Sequence, residues 1–105
     1  MSTIKQNHGV PFQITATHAT SAVCTKIPAA STALYITDLS GSSDKSGALI
    51  LVKDDSTTIW QDIIGAGNYV INFVQPIKCV GTLTVTVDGT SLCKSNVSGF
   101  VGNLS

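Results

Sequence analysis

The side chains able to do chemistry are few: two histidines (His8, His18), three cysteines (Cys24, Cys79, Cys93) and six aspartates. Nucleophilic catalysis needs a Ser or Cys beside a base that is itself oriented by a third group. His8 falls in a polar N-terminal stretch where nothing holds a base rigidly, and no GxSxG elbow occurs. A Cys24–His18 dyad competes with Cys24 as an ordinary strand-core residue, and the core reading is favoured. Hydrolysis of glycosides uses paired carboxylates, but Asp44, Asp54, Asp55 and Asp88 stand beside Gly, Ser or Lys, where they read as solvated turn residues. Asp62 follows Trp60 at strand spacing, which makes these two the candidates for a sugar or other ligand contact. Gly65-Ala66-Gly67 is a fragment of a dinucleotide fingerprint with no helix behind it, so it reads as a turn. The odd cysteine set has no CxxC spacing and no clustered histidines, which argues against a metal site. A Cys79–Cys93 bridge closing a hairpin is one possibility; reduced thiols packed as small hydrophobes is the favoured one. Asn96-Val97-Ser98 and Asn103-Leu104-Ser105 match the glycosylation triplet by chance in a Ser-rich chain. The expectation is a protein without catalytic machinery, cofactor or metal.

Composition narrows the class. At 105 residues the chain holds one domain, and its six Lys and six Asp balance to zero net charge, with Arg and Glu absent. Ser and Thr fill 25 positions. A coiled coil or helical bundle leans on Glu, Lys, Arg, Ala and Leu, and disorder needs high net charge with low hydrophobicity. Neither fits. A neutral chain lacking Arg is also a poor partner for nucleic acid, whose phosphates need neutralising. Met1–His8 lacks the apolar stretch of a secretory leader, and the longest apolar run, Ala48–Val52, is far short of a membrane span. A cytosolic product is expected, unless it leaves inside a larger particle.

The elements that must position these residues are short β-branched runs punctuated by Gly, Ser, Asn, Asp and Pro. Residues 1–11 read as a polar arm, and 12–105 as the folded domain. Phe12–Thr17 alternates with period two, placing Phe12, Ile14 and Ala16 on one face. Ala22–Ile27 ends at Pro28, and Thr32–Leu39 leads into a Ser/Gly-rich loop expected at 40–47. Ala48–Val52 is apolar on both faces, as a central strand is. Thr57–Ile64, Tyr69–Val74 (broken by Pro76), a short piece at 77–80, Thr82–Val87 and Ser95–Val101 complete the set. Asp88-Gly89 reads as a hairpin turn between the last two strands. The prediction is an all-β antiparallel sandwich, jelly-roll-like, with about eight strands.

What remains for function is surface. Few charges and many hydroxyls make a surface that buries cheaply against another subunit. The arm can lie across a partner, with Ile4, Val10 and Phe12 as apolar anchors and Lys5 and His8 beside them. Trp60, Asp62 and the 40–47 loop form the alternative, a receptor- or carbohydrate-binding site.

Four phrases carry a family likeness: Tyr35-Ile36-Thr37-Asp38-Leu39-Ser40-Gly41-Ser42, Gly65-Ala66-Gly67-Asn68-Tyr69, Gln75-Pro76-Ile77-Lys78-Cys79 and Thr84-Val85-Thr86-Val87-Asp88-Gly89-Thr90-Ser91. Over about Tyr35–Val101, some two thirds of the chain, the sequence resembles small structural proteins of tailed bacteriophages. Ser95-Asn96-Val97-Ser98-Gly99-Phe100 is similar to the final strand of such domains, and of trimeric jelly rolls of the C1q and tumour necrosis factor type. The resemblance implies a virion component on the capsid exterior, a cement or decoration protein. It implies self-association, a trimer favoured, and the major capsid protein as partner. Others of similar build belong to tails or fibres, but a fibre adhesin usually adds a shaft or tip domain that 105 residues cannot hold. No catalytic residue is implied.

Overall fold

Period-two alternation is the dominant signal, and it yields strands almost throughout. The computed structural model describes residues 9–104. Its strands are β1 (Val10–His18), β2 (Ser21–Lys26), β3 (Thr32–Ser43), β4 (Ala48–Asp54), β5 (Thr57–Ile64), β6 (Gly67–Cys79), β7 (Leu83–Asp88) and β8 (Cys93–Asn103). One sheet has the order β1-β8-β3-β6 and the other β2-β7-β4-β5, and every neighbouring pair is antiparallel. Two four-stranded sheets interleaved in this order make the jelly roll that the strand count predicts.

Alternation dictates the core. Leu34, Ile36 and Leu39 of β3 and Val97 of β8 face Ala22, Cys24, Ile50, Val52, Leu83, Val85 and Val87 of the other sheet, all fully buried. β4 is central, as its doubly apolar sequence suggests. Its Ala48, Ile50 and Val52 point into the core, while Leu49 and Leu51 are half-buried on the outer face.

Four local expectations are corrected. Asp88-Gly89 closes no hairpin: β7 pairs with β2 and β4, β8 pairs with β1 and β3, and the chain crosses between sheets there. The Gly89 N–H donates to the Thr20 carbonyl, at 2.9 Å. The expected 40–47 loop is strand as far as Ser43. Gly41 permits this, because a Cβ there would sit 2.1 Å from the Lys94 carbonyl oxygen and 2.9 Å from the Tyr69 hydroxyl. Pro76 does not end its strand, and the turn before it is shorter than expected, since Gly67 and Asn68 already belong to β6. Pro76 lies in an irregularity where the register jumps from Ile36↔Ile77 to Asp38↔Asn72, so residues 73–76 of β6 form a bulge opposite Thr37. A proline in a bulged edge strand withholds a donor that the ladder does not use.

The two ends of the sheet also separate the thiols. Cys79 lies opposite Leu34 and Cys93 opposite Ser43, nine residues further along β3. At about 3.3 Å per residue that is roughly 30 Å, several times what a disulfide can span. All three cysteines are free and buried.

The core predicts a sharp contrast in stability. Leu34→Ala should lower unfolding free energy by about 3 kcal/mol in denaturant titrations, whereas Val70→Ala, on the outer face of β6, should change it by less than about 0.5 kcal/mol.

Candidate functional site

The residues singled out for catalysis do not converge. His18 closes β1, and its Nδ1 accepts hydrogen bonds from the N–H groups of Thr20 (3.1 Å) and Ser21 (3.3 Å), fixing the turn into β2. Cys24 points between the sheets, where its thiol donates to the Ser95 carbonyl at 3.4 Å. Burial raises the Cys24 pKa, with the Ser95 hydroxyl opposing it. This is a packed thiol, not an activated one. Burial, and then the neighbouring Asp54 carboxylate, push Cys79 up to about 11. Among the described residues, no three His, Cys or Asp side chains come together in a metal-binding group. Among the described residues, moreover, there is no helix long and apolar enough to cross a membrane.

Trp60 and Asp62 both lie on β5, opposite Val52 and Ile50, and so share the inward face. The Trp60 ring turns toward β6 and meets Phe73 edge to face, with centroids 5.2 Å apart. The pair bridges the two sheets on this side of the sandwich. Asp62 is exposed, and its Oδ1 accepts the N–H of Ile63 at 2.8 Å. Of the 40–47 segment, Ser40–Ser43 is strand, paired with β6 and β8.

Of the residues read as partner contacts, Ile4, Lys5 and His8 lie outside the described residues. Val10 opens β1 opposite Val101 and is 67% exposed, and Phe12 faces inward opposite Gly99, half-buried against the core. The Lys26 ammonium sits 5.5 Å from the Phe12 ring centroid. Val10 and Pro11, read as arm, are thus already part of the sheet.

Sequence reasoning missed what the turn aspartates do. Asp44 accepts hydrogen bonds from the N–H groups of Thr90 (2.8 Å), Ser91 (2.9 Å) and Leu92 (3.1 Å), and from the Ser91 hydroxyl. Those bonds, the Ser91 hydroxyl first, hold its carboxyl well below the usual range. At the other end of the molecule, Asp54 accepts from Val80 N–H (3.1 Å) and Gly81 N–H (2.8 Å), and Asp55 from Thr82 N–H (2.9 Å). Each carboxylate ties together loops that are distant in sequence. The preference of Asp for turns points to an acceptor, and only the fold says whose donors it takes.

Sequence reasoning also missed where apolar surface is left open. The five most exposed large hydrophobics among the described residues are Val74, Ile27, Val70, Ile63 and Val10. All lie on, or directly after, the edge strands β1, β2, β5 and β6. On the β5–β6 side, Ile59, Trp60, Ile64, Ile71, Phe73 and Ile77 are half-buried behind them. The available signal was apolar residues on both faces of 69–74: Tyr69, Ile71 and Phe73 inward, Val70 and Val74 outward.

The sequence matches no protein-family model and no curated relative. Among solved structures the chain is similar to FlhE, at 6% identity and TM-score 0.44, over 88% of this chain and 99% of that one. It is similar to part of latent PorU from Porphyromonas gingivalis, at 7% identity and TM-score 0.43, over 96% of this chain and 14% of that one. A third similarity is to the virus-like particle of extra small virus of the giant freshwater prawn Macrobrachium rosenbergii. It stands at 11% identity and TM-score 0.37, over 93% of this chain and 80% of that one. None of these similarities carries an assignment.

Two outcomes test this geometry. In native protein at pH 8, an aromatic disulfide reagent should titrate less than one thiol promptly, and all three after denaturation. Asp44→Asn should lower the melting temperature at pH 7. Because the folded carboxyl titrates below its unfolded value of about 4, the stability it lends is present above that pH and fades below it. The gap between wild type and variant in thermal melts should therefore close as pH falls below about 4.

Proposed function

We propose that this protein is a structural subunit that acts by covering surface: a cement or decoration protein on the outside of a tailed-phage capsid. The observation carrying its part in an assembly is the pairing of exposed apolar side chains with scarce charge at the edges of the sandwich, which suits burial against a neighbouring subunit. The edge strands β1, β2, β5 and β6 hold three of the twelve charged side chains, Lys26, Asp62 and Lys78. Val10, Ile63, Val70 and Val74 stand exposed on those same strands. Such surface costs little to desolvate and gains on burial. The likeness of Tyr35–Val101 to small phage structural proteins supports the choice of partner, the major capsid protein. The segment 1–8, which precedes β1 in the sequence, contributes Ile4, Lys5 and His8 to the proposed contact.

The mechanism is linkage. A protein that binds the assembled shell and not its separated subunits stabilises the shell by RT ln(1 + [L]/Kd), about 4 kcal/mol at a thousandfold excess over Kd. A carbohydrate-binding module draws less support, because Trp60 is engaged with Phe73 and Asp62 with its own backbone neighbour.

Purified protein added to stripped capsids should co-sediment with them and raise their disassembly temperature in scanning calorimetry. Deleting residues 1–8 should leave the melting temperature of the free protein unchanged and weaken co-sedimentation. Absence of binding by the full-length protein rejects the cement reading.

A further inference from the structure

We infer that copies of this chain join side to side, the β5–β6 side of one against the β1–β2 side of the next, and close into a ring. The inference rests on the proposed reading of this chain as a structural subunit, but its test needs no shell.

The first support is strand direction. Each sheet has four strands that alternate in direction, so its two edge strands run opposite ways. A second copy rotated about an axis parallel to the strands therefore brings β1 antiparallel to β6 and β2 antiparallel to β5. Strand direction therefore suits a side-to-side contact in either sheet. An odd strand number would have set the edges parallel.

The second support is where the apolar side chains stand. Ile63, Val70 and Val74 flank the β5–β6 side, and Val10, Val23 and Ile27 flank the β1–β2 side, each at least 45% exposed. A two-fold contact through either side leaves the other apolar side in water, whereas a head-to-tail contact covers both in every copy. Register adds a specific match. Val23 pairs with Thr86, Thr86 with Leu51 and Leu51 with Gln61, so Val23 lies level with Gln61 across the second sheet. Ile63 is two residues on, on the same outer face. In a ring without axial shift, Val23 of one copy and Ile63 of the next become diagonal neighbours at about 7–8 Å.

Area agrees. The nine residues of β1 at about 3.3 Å each span roughly 30 Å, and two sheets about 10 Å apart with their outer side chains are about 20 Å deep. That gives roughly 600 Å² per copy and about 1,200 Å² over both partners, the lower bound of the standard interface class. Pro11 and the bulge at 73–76 interrupt backbone pairing. The β1–β6 half of the contact consequently relies on side chains, while β2 and β5 supply the strand pairing that sets Val23 beside Ile63.

Two double variants test this by light scattering coupled to size exclusion. Ile63→Lys with Val70→Lys spoils the β5–β6 side, and Val23→Lys with Ile27→Lys spoils the β1–β2 side; circular dichroism and thermal melts verify folding. Wild type should elute as a discrete closed oligomer, a trimer being the expected size, and each double variant as a monomer. Mixed one to one, the variants hold one good side each and should form a heterodimer and nothing larger. A monomeric wild type, a homodimer surviving in either double variant, or a mixture that stays monomeric overturns the inference. A ring that forms but leaves capsids unbound overturns only the cement reading.

Discussion

The ladder between β3 and β8 is the constraint on which the rest of the molecule depends. It runs from Thr32 opposite Asn103 to Ser43 opposite Cys93, joining positions 71 and 50 residues apart at its two ends. Its inward side chains, Leu34, Ile36, Leu39 and Val97, form the floor onto which the second sheet packs. Both strands are central: β1 pairs only with β8 and β6 only with β3, so the two halves of the sheet stay apart until β3 and β8 have met. Because β8 is the last strand of the chain, loop-closure entropy must be met across most of the sequence before the sheet repays it. The fold is therefore all or nothing, and its local turns can only assist.

The aspartates provide that assistance. Asp44 grips the β7–β8 connection from the β3–β4 loop, and Asp54 and Asp55 grip the β6–β7 connection from the β4–β5 turn. A carboxylate taking several backbone N–H bonds is worth more than an exposed ion pair. The one salt bridge among the described residues, Lys45 to Asp88 at 3.9 Å, sits beside the first clamp with both side chains well exposed. Charge is thus spent at the two ends of the sandwich, where loops need donors satisfied. The edge strands at the sides keep only Lys26, Asp62 and Lys78.

How much of this the sequence discloses follows from the range of each signal. Thr82–Val87 and Phe12–Thr17 could be read directly, because alternation is a local property and one face of each strand must be hidden. Eight strands and a jelly roll followed from the same counting. Asp88-Gly89 misled because a turn dipeptide reports backbone curvature and not which sheet the next strand joins. Ser40–Ser43 misled because polar composition suggests a loop, while Gly41 clears a path for Tyr69 to cross β3 and donate to the Lys94 carbonyl at 3.4 Å. That burial also pushes the Tyr69 hydroxyl up to about 12. For the candidate site, the low charge was legible in the composition. The confinement of exposed apolar residues to the edges was not, because edge and centre are properties of strand order.

Strand order also decides what the open edges can become. Edge strands with exposed valines invite pairing, and a sandwich meant to stay alone covers or charges them. Here the blunting is partial: Pro11, Pro76 and the β6 bulge deny a continuous ladder, and Asp62 turns a carboxylate inward on β5. These devices stop strands from adding without limit, yet leave Ile63, Val70 and Val74 uncovered. Partial blunting is what a closed assembly requires, since its contact must be strong enough to form and too irregular to propagate as fibre. On the proposed reading the same economy serves the shell. A ring that has already hidden its apolar sides presents loops and outer faces to a capsid, and each copy it seats brings its neighbours to the surface at high effective concentration. Weak individual contacts, summed over the ring, then suffice to hold a lattice that no single small domain could clamp.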